Sequence, residues 1–77
     1  MATLKDLREG ALLSQTELAK YVGVSLQTIY KWEHAQANPS PANRRKLVVA
    51  LGVSPKELLE AIEETRKEYD KELGTVA

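Results

Sequence analysis

The segment from Gln15 to His34 constrains the fold of this chain more than any other feature of its sequence. In it, the small residue Ala19 is followed four positions later by Gly23 and ten positions later by Ile29. A small side chain lets two backbones approach closely, and glycine adopts a left-handed turn conformation at little steric cost. The spacing therefore predicts two helices that cross at a steep angle over a short turn, with Ile29 packing the second helix onto the first.

Capping residues and apolar spacing predict helices along the rest of the chain. A serine followed three positions later by a glutamate is typical of a capping box, and this pattern occurs at Ser14 and again at Ser54. No run alternates apolar and polar residues as a half-buried strand does, so we expect an all-α fold of five helices. The predicted helices follow caps at Thr3, Ser14, Ser25, Ser40 and Ser54. The last helix is expected to run to about Leu73, with residues 74–77 frayed.

Length and composition limit the classes of protein to be considered. The chain has 77 residues and no cysteine, which fits one small domain without disulfides or thiolate metal ligands. It has neither a membrane-length apolar run nor a secretory signal, so we expect a cytoplasmic protein without a membrane partner. The formal net charge is zero. However, the charges are unevenly distributed. Residues 1–55 include seven basic and four acidic residues, whereas residues 56–77 include four basic and seven acidic residues. The first part of the chain is therefore basic and the second part acidic.

In order and spacing, these features resemble the Xre and Cro-type helix-turn-helix repressors. The matching stretches are LLSQTELAKYVGVSLQTIYKWE at 12–33, NPSP at 38–41 and KLVVALGVSPKELL at 46–59. The resemblance covers roughly residues 4–62 and implies a five-helix, lambda repressor-like bundle, here with an extended C-terminal helix. It also implies sequence-specific binding to double-stranded DNA, in which the third helix enters the major groove and the second crosses the backbone.

The resemblance assigns two sets of DNA-contacting residues. It implies base contacts by Leu26, Gln27, Tyr30 and Lys31. It implies contacts to the DNA backbone by Gln15, Thr16, Ser25, Thr28, His34, Asn43 and Arg44. Leu26 has no hydrogen-bonding group, so we expect it to contact a thymine methyl or to fill space. The basic residues at 44–46 could equally well form a solvated helix face or make further contacts to the DNA backbone.

The sequence departs from the family pattern at both ends of the matched helix pair. Leu12 stands where the family often has glycine, which leaves the end of the first helix undefined. Ala35 and Gln36 replace a common glycine and a common basic residue after the third helix. The loss of that basic residue removes one phosphate contact and predicts weaker non-specific binding.

No group of residues predicts catalysis, a metal site or a cofactor. His34 is the only histidine and has no cysteine beside it, and the serines are accounted for as helix caps. Trp32 could stack on a single strand, but its position three residues after Ile29 favours the core. The chain also lacks a glycine-rich phosphate loop. We therefore expect a protein that is not an enzyme.

The chain is predicted to consist of a DNA-binding domain at 1–62 and a charged helical extension at 63–77. Ile62, Tyr69 and Leu73 form an apolar seam that could fold back on the domain or pack against the same helix of a second subunit, and we favour the second arrangement. A homodimer would bind an inverted-repeat operator as a transcriptional regulator, with repression the expected outcome. The alternative is an adaptor of the antitoxin or protein-interaction type, which the zero net charge favours.

Overall fold

Five helices and their connections make up the described part of the chain. The structure is a computed structural model that describes the backbone of residues 2–76 and the side chains of residues 2–71. The helices are α1 (Leu4–Gly10), α2 (Gln15–Val22), α3 (Leu26–Glu33), α4 (Pro41–Leu51) and α5 (Pro55–Val76). The described backbone contains no strand, so the predicted all-α, five-helix fold class is confirmed. None of the described helices has the length and apolar character that crossing a membrane requires.

The helices begin at the predicted capping residues. The Ser14 hydroxyl accepts the N–H of Glu17 at 3.0 Å, while the Glu17 carboxylate accepts the N–H of Ser14 at 2.9 Å. Ser54 and Glu57 make the same reciprocal pair at the start of α5. Thr3 makes a third capping box, with Asp6 in the place of glutamate. These bonds satisfy backbone donors that a helix N-terminus leaves without a partner, and so they fix where each helix starts.

The C-terminal end of α5 differs from the prediction. The helix extends to Val76 rather than ending near Leu73, so residues 74–76, predicted to be frayed, are helical. A glycine inside a helix costs roughly 1 kcal/mol but does not by itself end it, because only proline removes a helix hydrogen bond. Ala77 and the side chain of Leu73 lie outside the described residues.

The core is formed by the apolar faces of all five helices. Ile29, 0% exposed, and Trp32, 5% exposed, belong to it as predicted. The largest fully buried side chains are Leu4, Leu18, Val22, Ile29, Leu47 and Leu58. Burying such a side chain stabilises the fold by roughly 1.5–3 kcal/mol, so this cluster is the main source of stability in a chain without disulfides.

The described part of α5 packs against α1 and α4 of its own domain. Ile62 is half-buried against the core, and Thr65 is buried. The Thr65 hydroxyl accepts the N–H of Leu4 at 2.9 Å and donates to the carbonyl of Ala61 at 2.8 Å. Half-buried Tyr69 lies one turn further along. Ile62 therefore contacts the core of this domain, Tyr69 lines a depression shared with Thr3 and His34, and a dimer through the seam stays a prediction.

Candidate nucleic-acid interface

The crossing of α2 and α3 has the predicted packing. Ala19 is 5% exposed and Ile29 is fully buried, so the two helices meet through a small and a large apolar side chain. Gly23 caps α2 with φ at 82°, in the left-handed region, and its N–H donates to the Ala19 carbonyl at 2.8 Å. Val24 packs against the core beneath the turn. This geometry fixes the direction in which α3 leaves α2.

One face of α3 is left uncovered. Ile29 and Trp32 lie on the opposite face, which is buried against the core. The exposed residues are spaced i, i+1, i+4 and i+5 along α3, and residues with this spacing lie on one side of a helix. These exposed residues are Leu26, Gln27, Tyr30 and Lys31. The structure thus brings together all four predicted base-contact residues. Their side chains offer an amide, an ammonium group, a phenol and an apolar branch on a single surface.

Tyr30 and His34 are joined at the C-terminal end of this face. Their rings stack with centroids 3.9 Å apart, and His34 Nδ1 lies 2.8 Å from the Tyr30 carbonyl oxygen. His34 also caps the end of α3 and is exposed. The stack restricts both side chains, so the exposed end of α3 presents a more rigid surface than isolated side chains would.

The N-terminal end of α3 is held by two hydroxyl groups. Ser25 Oγ accepts the N–H of Thr28 at 3.1 Å and lies 2.9 Å from the Thr28 hydroxyl oxygen. Ser25 is exposed and Thr28 is half-buried. Thr16, also predicted to contact the DNA backbone, is exposed in the first turn of α2.

A buried ion pair fixes the other end of α3 to α1. Arg8 Nε donates to Glu33 Oε2 at 2.6 Å, and the Arg8 guanidinium also donates to the Leu13 carbonyl at 2.9 Å. The Arg8 side chain is 10% exposed and that of Glu33 is 1% exposed. The hydrogen bond to Glu33 raises the pKa of Arg8 above its usual value. The two side chains therefore satisfy each other's hydrogen-bonding groups inside the fold.

Gln15 belongs to the same network. Its side-chain amide donates to Glu33 Oε1 at 3.1 Å, so the first residue of α2 is tied to the last residue of α3. This contact holds the two helices at a fixed angle at the end opposite to the turn. Gln15 therefore braces α3 through its bond to Glu33.

Arg44 lies against α5. It is half-buried and lines a groove between α4 and α5, together with Val48 and Leu59. Asn43 is half-buried in the first turn of α4, and its N–H donates to the Ser40 hydroxyl at 3.2 Å. These two residues are therefore placed by the start of α4, whereas the other predicted contact residues belong to α2, the turn before α3, α3 itself or the loop after it.

Sequence reasoning missed the pairing of Arg8 with Glu33. Both residues entered the sequence analysis only as charges of the basic part, because a charged residue is usually exposed. The pair is separated by 25 positions, and nothing local signals so distant a contact. The stacking of Tyr30 on His34 had a usable signal, since residues four apart on a helix are neighbours.

Comparison with known families agrees with this geometry. The family model described as helix-turn-helix matches residues 4–58, a stretch that includes α1 to α4 and the first residues of α5. A search of curated proteins gave no match. Domains of the matched family bind DNA and are not enzymes. The chain therefore belongs to the Xre and lambda repressor-like family of helix-turn-helix DNA-binding regulators.

Proposed function

We propose that this protein binds specific sequences of double-stranded DNA by inserting α3 into the major groove and that it acts as a transcriptional repressor. The observation that carries this proposal is the uncovered face of α3, which presents Leu26, Gln27, Tyr30 and Lys31 while Ile29 and Trp32 hold the helix on the core. An α-helix fits the major groove of B-DNA, where each base pair has a distinct pattern of donors and acceptors.

Each exposed side chain of α3 has a chemistry suited to this groove. The amide of Gln27 both donates and accepts, which matches the N6 donor and N7 acceptor of adenine. Lys31 carries a positive charge one turn further on and would contact phosphate or guanine. Leu26 is 49% exposed and would contact a thymine methyl group. Tyr30, whose ring stacks on that of His34, would add a phenol group to this DNA-contacting surface.

Contacts to phosphate would supply much of the affinity. For this role we propose the residues around α3 and at the starts of α2 and α4, namely Gln15, Thr16, Ser25, Thr28, His34, Asn43 and Arg44. Most carry a hydroxyl, amide or imidazole group, and Arg44 adds a charge. Their polar groups support this proposal because phosphate oxygens accept hydrogen bonds without regard to sequence.

A single α3 helix reads only a few base pairs, which favours a two-fold dimer on an inverted repeat. In such dimers the recognition helices lie about 34 Å apart, one turn of B-DNA. A bound dimer would repress by competing with polymerase for the promoter. An adaptor that binds a protein partner is the second candidate, and the acidic composition of the chain from position 56 onward favours it.

Selection of binding sites from a randomised duplex library tests the proposal. The full chain should enrich an inverted repeat whose half-sites are centred about 10 base pairs apart. The double variant Gln27→Ala, Lys31→Ala is the matched control and should lose the enriched motif while remaining helical. Absence of any enriched motif with the full chain, even at low salt where phosphate contacts are strongest, would contradict the proposal and leave the adaptor.

A further inference from the structure

His34 is the only histidine in a sequence that has no cysteine. It follows the last residue of α3, where it caps the helix, and it is exposed. Histidine is the side chain whose charge ordinarily changes between about pH 5 and 8. This single imidazole is therefore the side chain best suited to respond to a mild change of pH at this end of α3.

The hydrogen bond to Tyr30 fixes which ring nitrogen of neutral His34 carries the hydrogen. His34 Nδ1 lies 2.8 Å from the Tyr30 carbonyl oxygen, and the same carbonyl accepts the backbone N–H of His34 at 3.1 Å. A carbonyl oxygen only accepts hydrogen bonds, so Nδ1 is the donor. In a neutral imidazole the other nitrogen, Nε2, then has no hydrogen and can only accept.

This tautomer limits what neutral His34 offers to DNA. The oxygens of a backbone phosphate accept hydrogen bonds and have none to donate, so Nε2 of the neutral ring cannot bond to them. A proton gained at Nε2 makes this nitrogen a charged donor, while Nδ1 keeps its bond to the Tyr30 carbonyl. The phosphate contact proposed above for His34 therefore requires the imidazolium form.

The ring of Tyr30 favours the protonated form of His34. The two rings stack with centroids 3.9 Å apart and an angle of 21° between their planes. The face of an aromatic ring attracts a cation at this distance. Tyr30 is exposed on the proposed DNA-contacting face of α3, so a charge on His34 would lie at the edge of that face.

The other charged groups around His34 largely offset one another. The titratable side chains that line a depression together with His34 are Lys5 of α1, Glu33 of α3, and Glu68 and Tyr69 of α5. Glu33 is already paired with the buried Arg8, and Lys5 and Glu68 carry opposite charges. Tyr69 contributes a hydroxyl group. A DNA phosphate would therefore be the group that decides whether His34 gains a proton.

We propose that His34 binds a DNA phosphate only as the imidazolium, so that each α3 helix that binds DNA takes up a proton there. Affinity is then higher in mildly acidic than in mildly alkaline solution, because the charge at the end of α3 is present only after protonation. The inference rests on the proposed function for the position of His34 beside the DNA backbone. It concerns a phosphate contact, however, and does not depend on sequence recognition.

Fluorescence anisotropy with a labelled duplex of random sequence tests the proposal. At constant salt concentration, the Kd of the unmodified chain should rise roughly three- to tenfold between about pH 6 and about pH 8, as one charge-assisted hydrogen bond is lost. The dependence of log Kd on log salt should be steeper at the lower pH by roughly one for each α3 bound. His34→Gln should lose most of both effects, because a neutral amide cannot gain a charge.

Thr16→Val is the matched control, because it removes a proposed contact to the DNA backbone that has no titratable group. It should weaken binding at every pH alike and keep the pH dependence of the unmodified chain. Circular dichroism checks that both variants remain helical.

NMR of the imidazole ring provides a second measurement, and its signals are unambiguous because the chain has one histidine. Nitrogen chemical shifts of the free protein in alkaline solution should show a neutral ring with its hydrogen on Nδ1. Addition of the random duplex should move the midpoint of ring protonation to higher pH.

A neutral ring with its hydrogen on Nε2, or the same pH dependence of Kd in His34→Gln and the unmodified chain, would overturn the proposal. A pH effect that depends on His34 in a chain that prefers no DNA sequence would support the proposal and contradict sequence-specific binding alone.

Discussion

Two residues of the described backbone hold a left-handed conformation although neither is glycine. Leu12 has φ at 60° and Ala35 has φ at 56°, and both occupy positions where the sequence resemblance implies a frequent glycine. A side chain at positive φ costs roughly 1–2 kcal/mol, because Cβ approaches the carbonyl oxygen. Leu12 and Ala35 therefore keep the left-handed conformation that glycine adopts readily, and the resulting strain lowers the stability of the fold.

Leu12→Gly is expected to stabilise the protein. The substitution removes the strain at positive φ and loses almost no packing, since Leu12 is 90% exposed. Glycine also makes the unfolded chain more flexible, which offsets roughly 0.4–1 kcal/mol of the gain. The free energy of unfolding should rise by about 0.5–1 kcal/mol in urea titrations.

Leu12→Ala is the control for this effect, because alanine removes the same exposed side chain but keeps Cβ. It should leave the free energy of unfolding close to that of the unmodified chain. If Leu12→Ala stabilised the protein as much as Leu12→Gly, the gain would come from removal of the exposed leucine side chain and not from relief of backbone strain.

Local sequence determined where the helices start, and distant contacts determined how α3 is held. Ser14 and Glu17 lie three positions apart, so their capping box is visible in the sequence. The bond to the Ser14 N–H lowers the pKa of Glu17, which keeps the capping carboxylate charged in moderately acidic solution. The contact of Arg8 with Glu33 spans 25 positions and depends on α1 packing beside α3, which no local pattern encodes.

Glu33→Ala is expected to destabilise the protein strongly. The substitution leaves the Arg8 guanidinium, only 10% exposed, without its carboxylate, and it releases the Gln15 amide from α3. Leaving one member of a buried ion pair uncompensated costs roughly 3–5 kcal/mol. The midpoint of urea unfolding should fall accordingly.

The double variant Arg8→Met, Glu33→Leu should be markedly more stable than Glu33→Ala, because no charge remains buried without a partner. If the double variant were as unstable as the single one, the stabilisation would come from the specific hydrogen bonds, including that of Arg8 to the Leu13 carbonyl.

The sequence predicted the fold class, the helix-turn-helix and the exposed face of α3. These features depend on helical periodicity and on short-range turn chemistry, such as Gly23 at φ 82°. The apolar side of α5 was harder to interpret, because Ile62 and Tyr69 have the spacing of a dimer seam and also of an intramolecular face. Only the packed structure reveals that Ile62 packs against its own core, that Tyr69 is half-buried and that the α4–α5 groove is uncovered.

Base reading by α3 is tested by the affinities of Gln27→Ala and Lys31→Ala for a panel of single-base operator variants. Gln27→Ala should cost about 1–3 kcal/mol per half-site on the preferred operator, lose the preference for adenine at one position and leave non-specific binding nearly unchanged. If Lys31 contacts phosphate, Lys31→Ala should weaken all sequences alike and reduce the dependence of log Kd on log salt by roughly one per subunit. A preference profile unchanged by Gln27→Ala would contradict base reading by α3.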